Sequence, residues 1–415
     1  MSDVCIVGLG YVGLPTAILC AMSGHEVVGV DINTEVVEKL NKGEVHIVEN
    51  GLDALLKRCL ADKKFKAVLA PLEADTFVIA VPTPFEKDSH APVLDFIKAA
   101  TQSIAPKLRE GNTVILESTS PVGTTVLVCE WLQEMRPDLL FPVSDSSAAD
   151  VNIAYCPERV LPGRAMQEIN QNDRIIGGLS NNCSEAARNF YKTFVDGDCF
   201  ITNANTAEMC KLAENSFRDV NIAFANELSM MCEHFDLNVW ELISLANRHP
   251  RVSILNPGVG VGGHCISVDP WFIIHKFPET AKLISTARKV NTLKADWVVD
   301  KVKSAILDLV QHGKLMNEIK ICCLGLSYKE NIDDLRESPA LHIVQELINQ
   351  LDCCINVVEP NSNQEKILDI QLVSIENALE NADIVVPLVA HDEFKNIDFR
   401  KSNLIDCIGL CEPKA

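Results

Sequence analysis

The stretch NPGVGVGGHCISVDPWF, residues 256–272, sets Cys265 and Asp269 directly after four glycines, Gly258, Gly260, Gly262 and Gly263. Glycine costs conformational entropy wherever it is fixed, so such a cluster marks backbone that turns sharply or lets a ligand approach closely. A thiolate at Cys265 would be a nucleophile, but an ordinary thiol, with a pKa of about 8.5, is only a few per cent ionised at neutral pH. A nearby ammonium such as Lys211 would help, and Asp269, four residues on, could orient a water or that lysine. The competing reading is a cysteine that merely packs, the expected fate of most of the other fifteen in this chain.

A second set of residues points to a nucleotide. Gly8-Leu9-Gly10-Tyr11-Val12-Gly13 follows a strand-like run and opens a helical one, the context that a dinucleotide fingerprint requires. The first glycine allows the tight turn, the second lets backbone meet a pyrophosphate, and the third lets helix and strand pack closely. Asp31 ends the next strand-like run, where a carboxylate accepts hydrogen bonds from ribose hydroxyls and repels a 2′-phosphate, so NAD is favoured over NADP. Two further strand ends, VPTP with Thr83 and ESTSPVGTT with Thr125, present hydroxyls where ligands of open sheets sit, although such clusters are also ordinary turn chemistry. Lys211, Asn215 and Arg218 share one helix face by their spacing. Their flanks, Leu212, Val220, Ile222, Phe224 and Leu228, predict a substantially buried helix whose basic stripe needs an anionic or polar partner, unless that face is solvated.

The elements that must position these groups follow from periodicity. VCIVGLG, HEVVGVDI, DTFVIAVP, NTVILEST, VNIAYCP and DRIIGGL read as strands with helices between most of them, which predicts parallel βαβ units. Residues 205–234 form a long helical pattern without Pro or Gly, and a second helical stretch covers roughly 278–312. The strand-like runs IKICCLGL, CCINVVEP, ADIVVPLV and SNLIDCI come next, with a helix opened by Ser338-Pro339. The expected architecture is α/β: two Rossmann-like parallel-sheet domains, residues 1–204 and 313–415, joined by a central helical dimerisation region at 205–312.

Composition removes several function classes. A net charge of −20 without any basic block argues against nucleic acid or anionic membranes as partners. The chain enters a strand at once, with no basic leader and no long apolar stretch, and the expectation is a cytoplasmic protein. The sixteen cysteines lack the paired short spacings of a zinc site, so no metal is expected.

Taken together, GLGYVGLPTA, DIN, AVPTPF, ESTSPVG, AYCPERVLPG, TAEMCKLAENSFRDVNIAFANEL, NRHPRV, GVGGHCISVDPWF and YKENIDDLRESPA resemble the UDP-glucose/GDP-mannose dehydrogenase family over essentially the full length. The resemblance implies an NAD-dependent, four-electron oxidation of a nucleotide sugar's C6 alcohol to a carboxylate. Cys265 would hold the intermediate aldehyde as a thiohemiacetal and then a thioester. Lys211 matches an acid/base that stabilises oxyanions, Asn215 a residue of the oxyanion environment, Asp269 a support for Lys211 and water, Glu158 an aid to hydrolysis, and Thr119 a hydroxyl that places the water. Arg159, Val160, Arg218, His249, Arg251 and Gly262 match sugar and diphosphate contacts, to which Lys211 and Asn215 also belong; Tyr328, Lys329 and Arg336 match contacts to the nucleotide. Gly8, Gly10, Tyr11, Val12, Gly13, Asp31, Thr83 and Thr125 match the cofactor set. NRHPRV, with His249 and Arg251, favours an N-acetylmannosamine substrate over glucose, and a homodimer is implied. One departure is Ile408, which stands in Asp406-Cys407-Ile408-Gly409 where the related pattern has a lysine. Sibling dehydrogenases for UDP-glucose or UDP-N-acetylglucosamine, and a non-catalytic NAD- or nucleotide-binding regulator on the same fold, are the rival readings.

Overall fold

A computed structural model describes residues 2–47, 49–86, 88–142, 149–160, 163–399 and 403–411, so Leu161 and Pro162 of AYCPERVLPG lie outside the described residues. The chain divides into two compact units, Met1–Ala213 and Glu214–Ala415.

The first unit contains, in order, β1 (Ser2–Val7), α1 (Gly13–Met22), β2 (Val27–Val30), α2 (Thr34–Asn41), α3 (Leu52–Ala61), β3 (Phe65–Val68), β4 (Ala74–Ile79), α4 (Asp95–Ile104), β5 (Thr113–Leu116), α5 (Thr124–Met135), β6 (Asn152–Tyr155), α6 (Ala165–Gln171), β7 (Arg174–Gly178), α7 (Asn181–Tyr191) and β8 (Cys199–Asn203); α8 (Ala204–His234) begins in it. The strands order as β3-β2-β1-β4-β5-β6-β7-β8. All neighbours run parallel except β6 and β7, in register such as Val7 opposite Val30 on one side and Ile79 on the other. The order reverses direction at β1 and β4, and ligands of such sheets bind beyond the strand ends at that reversal.

Period-two alternation explains how the sheet is covered on both sides. In β1, Val4 and Ile6 face a core with Leu14, Ala17 and Ile18 of α1. Cys5 and Val7 face the opposite core with Ile97, Ala100 and Val128 of α4 and α5. A strand buried on both faces has no polar face to show, hence the unbroken apolar run in the sequence. Each such Ile or Val contributes about 1.5–3 kcal/mol on burial.

The second unit continues with α9 (Val239–Ala246), α10 (Asp269–Lys276), α11 (Lys282–Gln311), β9 (Lys320–Leu324), α12 (Pro339–Gln350), β10 (Cys354–Val358), β11 (Lys366–Ile367), β12 (Ile370–Gln371), α13 (Ile375–Leu379), β13 (Ile384–Pro387) and β14 (Asn403–Leu404). Its main sheet has the order β10-β9-β13-β14, parallel throughout. Ser338 caps α12 by accepting from the Leu341 N–H, as Ser-Pro predicts. The apolar stripe Ala295, Val298, Val299, Val302 and Ile306 of α11 packs onto Ile321 and Cys323 of β9.

Where α8 meets α11 the seam is polar. Arg288 Nη1 donates to Asp219 Oδ1 at 2.6 Å, and Asn291 Nδ2 donates to the same oxygen at 2.8 Å. A buried charge pair of this kind is costly to break, because the surviving partner keeps its desolvation cost without its counter-charge.

The helix α8 differs from expectation in one respect. Leu212 is buried, but Phe224 is 51% exposed, and so are Phe217 at 67% and Met231 at 49%. Their seven-residue spacing sets all three on one helix face, away from the face that buries Asp219 and Asn226. Among the described residues no helix is long and apolar enough to cross a membrane, no group of His, Cys, Asp and Glu could hold a metal ion, and every cysteine is free.

Candidate active site

Beyond β1 the chain turns at Gly8 with φ 97°. A Cβ there would stand 2.4 Å from the Ala80 carbonyl oxygen, and one at Gly13 would stand 1.9 Å from that of Gly8, so neither position admits a side chain. A Cβ at Gly10 would meet nothing within 4 Å. The outer glycines are needed by the fold, whereas the middle one faces open space of the kind a pyrophosphate takes. The N-cap residue of α1, Val12, gives it no side-chain cap, and its first turn holds no acid, which leaves its N–H groups and dipole for an anion. Tyr11, half-buried in the same turn, packs against the adjoining core.

Asp31, directly after β2, is fixed to this turn: Oδ2 accepts the Leu9 N–H at 3.2 Å and Oδ1 accepts the Asn33 N–H at 2.9 Å. Thr83, beyond β4, has a buried hydroxyl with no hydrogen-bond partner among the described residues. A buried polar atom in that state calls for a ligand or water to complete it. Thr125, at the start of α5, is fully buried and donates to Glu208 Oε1 at 2.7 Å, while the Gly123 N–H donates to Oε2 at 2.7 Å. Glu208 therefore caps α5, and burial raises its carboxyl pKa. Sequence reading missed Glu208, because nothing in TAEMCKLAEN tells that its partner lies on another helix. Open space at Gly10, the uncapped helix and the unpartnered Thr83 hydroxyl all fit a dinucleotide.

At the ends of β5 and β6 polar groups converge. Glu117 is buried, accepts from the Tyr191 hydroxyl at 2.9 Å, and is pushed up to about 7 by burial against the opposing pull of Arg174. Thr119, two residues on, is half-buried. The buried Glu158 follows β6, and its carboxylate accepts the Val160 N–H. Its backbone carbonyl accepts from Lys211 Nζ at 2.6 Å, so the structure brings these two expected residues together. Arg159 donates to the Asp173 carbonyl at 3.0 Å, and Val160 packs partly against the core beside α1.

In the second unit, Asn215 Nδ2 donates to Asp269 Oδ2 at 2.5 Å. Lys211 and Asn215 are 6% and 5% exposed, whereas Arg218, expected on the same stripe, is exposed to solvent. Asp269 is the first residue of α10, and its N–H donates to the Cys265 carbonyl at 2.9 Å. Cys265 is half-exposed, unlike the buried Cys322 and Cys323.

Its glycines serve the chain itself. A Cβ at Gly262 would stand 2.5 Å from the Glu337 carbonyl oxygen, and one at Gly263 would stand 2.7 Å from the Tyr328 ring. The Gly263 N–H donates to the Arg336 carbonyl at 3.0 Å. The turn is thus pressed against the 328–337 segment, where Tyr328 and Lys329 are half-buried and Arg336 pairs with Asp334. His264, passed over in the sequence reading, lies inside this clamp and ion-pairs with Asp334 at 3.7 Å. His249 and Arg251 occupy an exposed turn after α9, the His249 Nδ1 accepting the Arg251 N–H at 3.3 Å. Ile408 packs partly against the apolar cluster beside β9.

The second sheet repeats the device of the first. Glu359, directly after β10, accepts the Leu326 and Ser327 N–H groups at 2.7 and 3.0 Å and that of Asn361 at 3.0 Å. Asp31 holds the turn after β1 in the same manner. Burial alone would raise the Glu359 pKa, but His391 and these backbone donors lower it.

Comparison with known proteins places these features in context. Models of the UDP-glucose/GDP-mannose dehydrogenase family match residues 2–195 (NAD binding domain), 205–293 (central domain) and 322–412 (UDP binding domain). The chain is similar to the UDP-N-acetyl-D-mannosamine dehydrogenase of Campylobacter jejuni, with 54% identity over 96% of this chain and 98% of the relative. It is also similar to the NDP-N-acetyl-D-galactosaminuronic acid dehydrogenase of Ralstonia nicotianae, with 53% identity over 99% and 96%. Among solved structures, the UDP-D-ManNAc dehydrogenase from Pyrococcus horikoshii matches with a TM-score of 0.90 and 37% identity, covering 99% of this chain and 96% of that one.

Proposed function

Since this chain belongs to the UDP-glucose/GDP-mannose dehydrogenase family, we propose that it oxidises the C6 alcohol of UDP-N-acetyl-D-mannosamine to the carboxylate of UDP-N-acetyl-D-mannosaminuronate, with NAD as oxidant. The observation that carries the reading is identity above one half, along nearly the whole length, to a UDP-N-acetyl-D-mannosamine dehydrogenase.

The glycine turn with Gly10, Asp31 and Thr83 would hold NAD, and two molecules of it, bound in succession, would supply the oxidant for the two hydrides that leave C6. The remaining chemistry falls to the protein. Lys211 takes up the alcohol proton and stabilises the oxyanion that forms on C6. Cys265 Sγ adds to the aldehyde carbon to give a thiohemiacetal, so the intermediate stays attached; loss of the second hydride leaves a thioester. Asn215, fixed by Asp269, donates to the developing oxyanion. Glu158 takes a proton from the water that Thr119 orients, and hydrolysis releases the carboxylate and the thiol. Arg159, Val160, Arg218, His249, Arg251 and Gly262 contact the sugar and diphosphate, and Tyr328, Lys329 and Arg336 contact the nucleotide, where guanidinium groups suit the diphosphate by bidentate geometry.

Three finer points belong to the same proposal. Residues 1–204, 205–312 and 313–415 act as cofactor, central and nucleotide domains. The exposed stripe of Phe217, Phe224 and Met231 supports a homodimer formed through α8. The enzyme works in the cytoplasm, where NAD and nucleotide sugars are available, and supplies precursors for surface polysaccharide.

The test is the ratio of NADH formed to sugar consumed. Two per UDP-N-acetyl-D-mannosamine is expected, and one would mean that the aldehyde is the end point. A panel with UDP-glucose, UDP-N-acetylglucosamine and UDP-N-acetylgalactosamine assigns the sugar; faster turnover of any of these overturns the choice. Asp31→Ala is expected to weaken NAD binding roughly 10- to 100-fold, the loss of about 1.5–3 kcal/mol for hydrogen bonds to a charged group. Titration of cofactor and UDP-sugar separately checks this, and unchanged NAD affinity removes Asp31 from the site.

A further inference from the structure

The two glycine turns of this chain are built alike up to one position. Gly8-Leu9-Gly10-Tyr11 follows β1, and Gly325-Leu326-Ser327-Tyr328 follows β9. The Gly8 N–H donates to the Val30 carbonyl and the Gly325 N–H to the Val358 carbonyl, each at 2.8 Å. Asp31 accepts the N–H groups of Leu9 and Asn33, and Glu359 accepts those of Leu326 and Asn361. Ser327 thus stands where Gly10, in the first turn, lets backbone meet a pyrophosphate. We propose that Ser327 and His391 seal this second turn against a pyrophosphate and make it a mount that holds Tyr328 and Lys329 for the UDP moiety. The inference deepens the proposed function and rests on its reading of Tyr328 and Lys329 as nucleotide contacts.

His391 lies in the loop after β13, and the order of the second sheet reverses between β9 and β13. That reversal is where an open α/β sheet ordinarily receives its ligand. Here the place is filled, since His391 and Ser327 are both 0% exposed and Glu359 is 5% exposed. The Asn331 N–H, which can only donate, reaches His391 Nδ1 at 2.9 Å, and Asn361 Nδ2 reaches the same atom at 2.9 Å. Nδ1 therefore accepts, and the ring proton sits on Nε2, 3.3 Å from both Glu359 Oε2 and Ser327 Oγ. The Ser327 hydroxyl donates in turn to the Lys329 carbonyl at 2.7 Å. Its one proton is thereby used, which leaves none for a phosphate.

One buried imidazole thus ties together the loops after β9, β10 and β13. Asn331 is held from two sides, because its side chain also accepts the Asp392 N–H at 3.0 Å. Its φ of 60° is a conformation that asparagine adopts more readily than most residues. Gly325, with φ 94°, presses the turn against the same loop: a Cβ there would stand 2.5 Å from Val389 Cβ. Between Ser327 and Asn331 lie the half-buried Tyr328 and Lys329. Their backbone is fixed at the Lys329 carbonyl by Ser327 and at the Tyr328 N–H by the Asp334 carbonyl, 3.1 Å away. A segment ordered before binding loses less conformational entropy when the nucleotide arrives. His391 touches no substrate in this scheme and acts as a positioning residue.

The test is calorimetric titration of the full-length protein with UDP and, separately, with NAD, together with kcat and KM for UDP-N-acetyl-D-mannosamine. His391→Leu removes the acceptor at Nδ1 and the donor at Nε2. It is expected to weaken UDP binding about tenfold and to raise KM by a similar factor, with NAD affinity and kcat within about twofold of wild type. His391→Asn, whose Oδ1 offers an acceptor near the place of Nδ1, is expected to recover most of that loss. Ser327→Ala should weaken UDP binding about threefold, as the loss of one hydrogen bond implies. Unchanged UDP affinity in His391→Leu, an equal loss of NAD affinity, or no recovery in His391→Asn overturns the positioning role. Should His391→Leu fail to fold, unchanged UDP affinity in Ser327→Ala overturns it instead. A second NAD bound per chain overturns the seal. Wild-type protein that binds no UDP would sink the nucleotide reading and the mount together, whereas wild-type binding that these variants leave intact sinks only the mount.

Discussion

Cys265→Ser is expected to stop NADH formation after at most one hydride per site and to lower steady-state turnover on the order of 10³-fold or more, in keeping with the loss of a covalent nucleophile. The first oxidation needs no sulfur, because the alcohol gives up its hydride directly to the cofactor. The second needs a tetrahedral adduct on the aldehyde carbon. Serine at this position has the right size but not the acidity, so at neutral pH it offers almost no alkoxide to form that adduct. The substitution leaves the half-exposed turn and its bonds to Asp269 and Val268 in place, since those run through the Cys265 carbonyl. UDP-sugar binding should then persist. Stopped-flow measurement of NADH, with equilibrium binding of the UDP-sugar as control, separates the two effects, and wild-type turnover in this variant would end the thioester mechanism.

Lys211→Met should lower kcat by roughly 10²- to 10⁴-fold, the range for losing a positioned acid/base that also stabilises an oxyanion. Methionine keeps most of the volume of the buried stem, so the change chiefly removes charge and donors. The Glu158 carbonyl, which accepts from Nζ at 2.6 Å, then loses a donor. That adds about 1–3 kcal/mol of destabilisation, readable as a drop in Tm. Arginine is not a conservative rescue, because a planar fork cannot replace a compact ammonium in a buried site. A kcat within a few-fold of wild type would take Lys211 out of the chemistry, whatever happened to Tm.

Some of this molecule is legible in its sequence for local reasons. β1 reads as a buried strand because VCIV must satisfy two apolar faces. The glycine turn after it reads from three residues, of which Gly8 and Gly13 are required by contacts within that turn and with the neighbouring strand. The Ser338-Pro339 start of α12 follows from capping within a few residues. The strands missed were β3, β8 and the two-residue pair β11 and β12. In β3 the sequence Phe65-Lys66-Ala67-Val68 alternates buried and exposed positions at the edge of the sheet, so no apolar run announces it. The partners of β8 are chosen by the sheet rather than by its own five residues.

The candidate site divides along the same line. Cys265, Lys211, Asp31 and the glycines were named from residue type, spacing and family resemblance. That Glu208 caps α5, that Asn215 is held by Asp269, and that Asp334 reaches His264 are facts about partners distant in the chain. So is the use of Gly262 and Gly263 to admit the 328–337 segment, where sequence suggested room for substrate. The sequence alone determined which groups could do chemistry and which elements bear them, because periodicity, capping and turn geometry act over a few residues. Only the tertiary structure decided how those groups are paired and charged, because hydrogen bonds and desolvation depend on neighbours that no local spacing encodes.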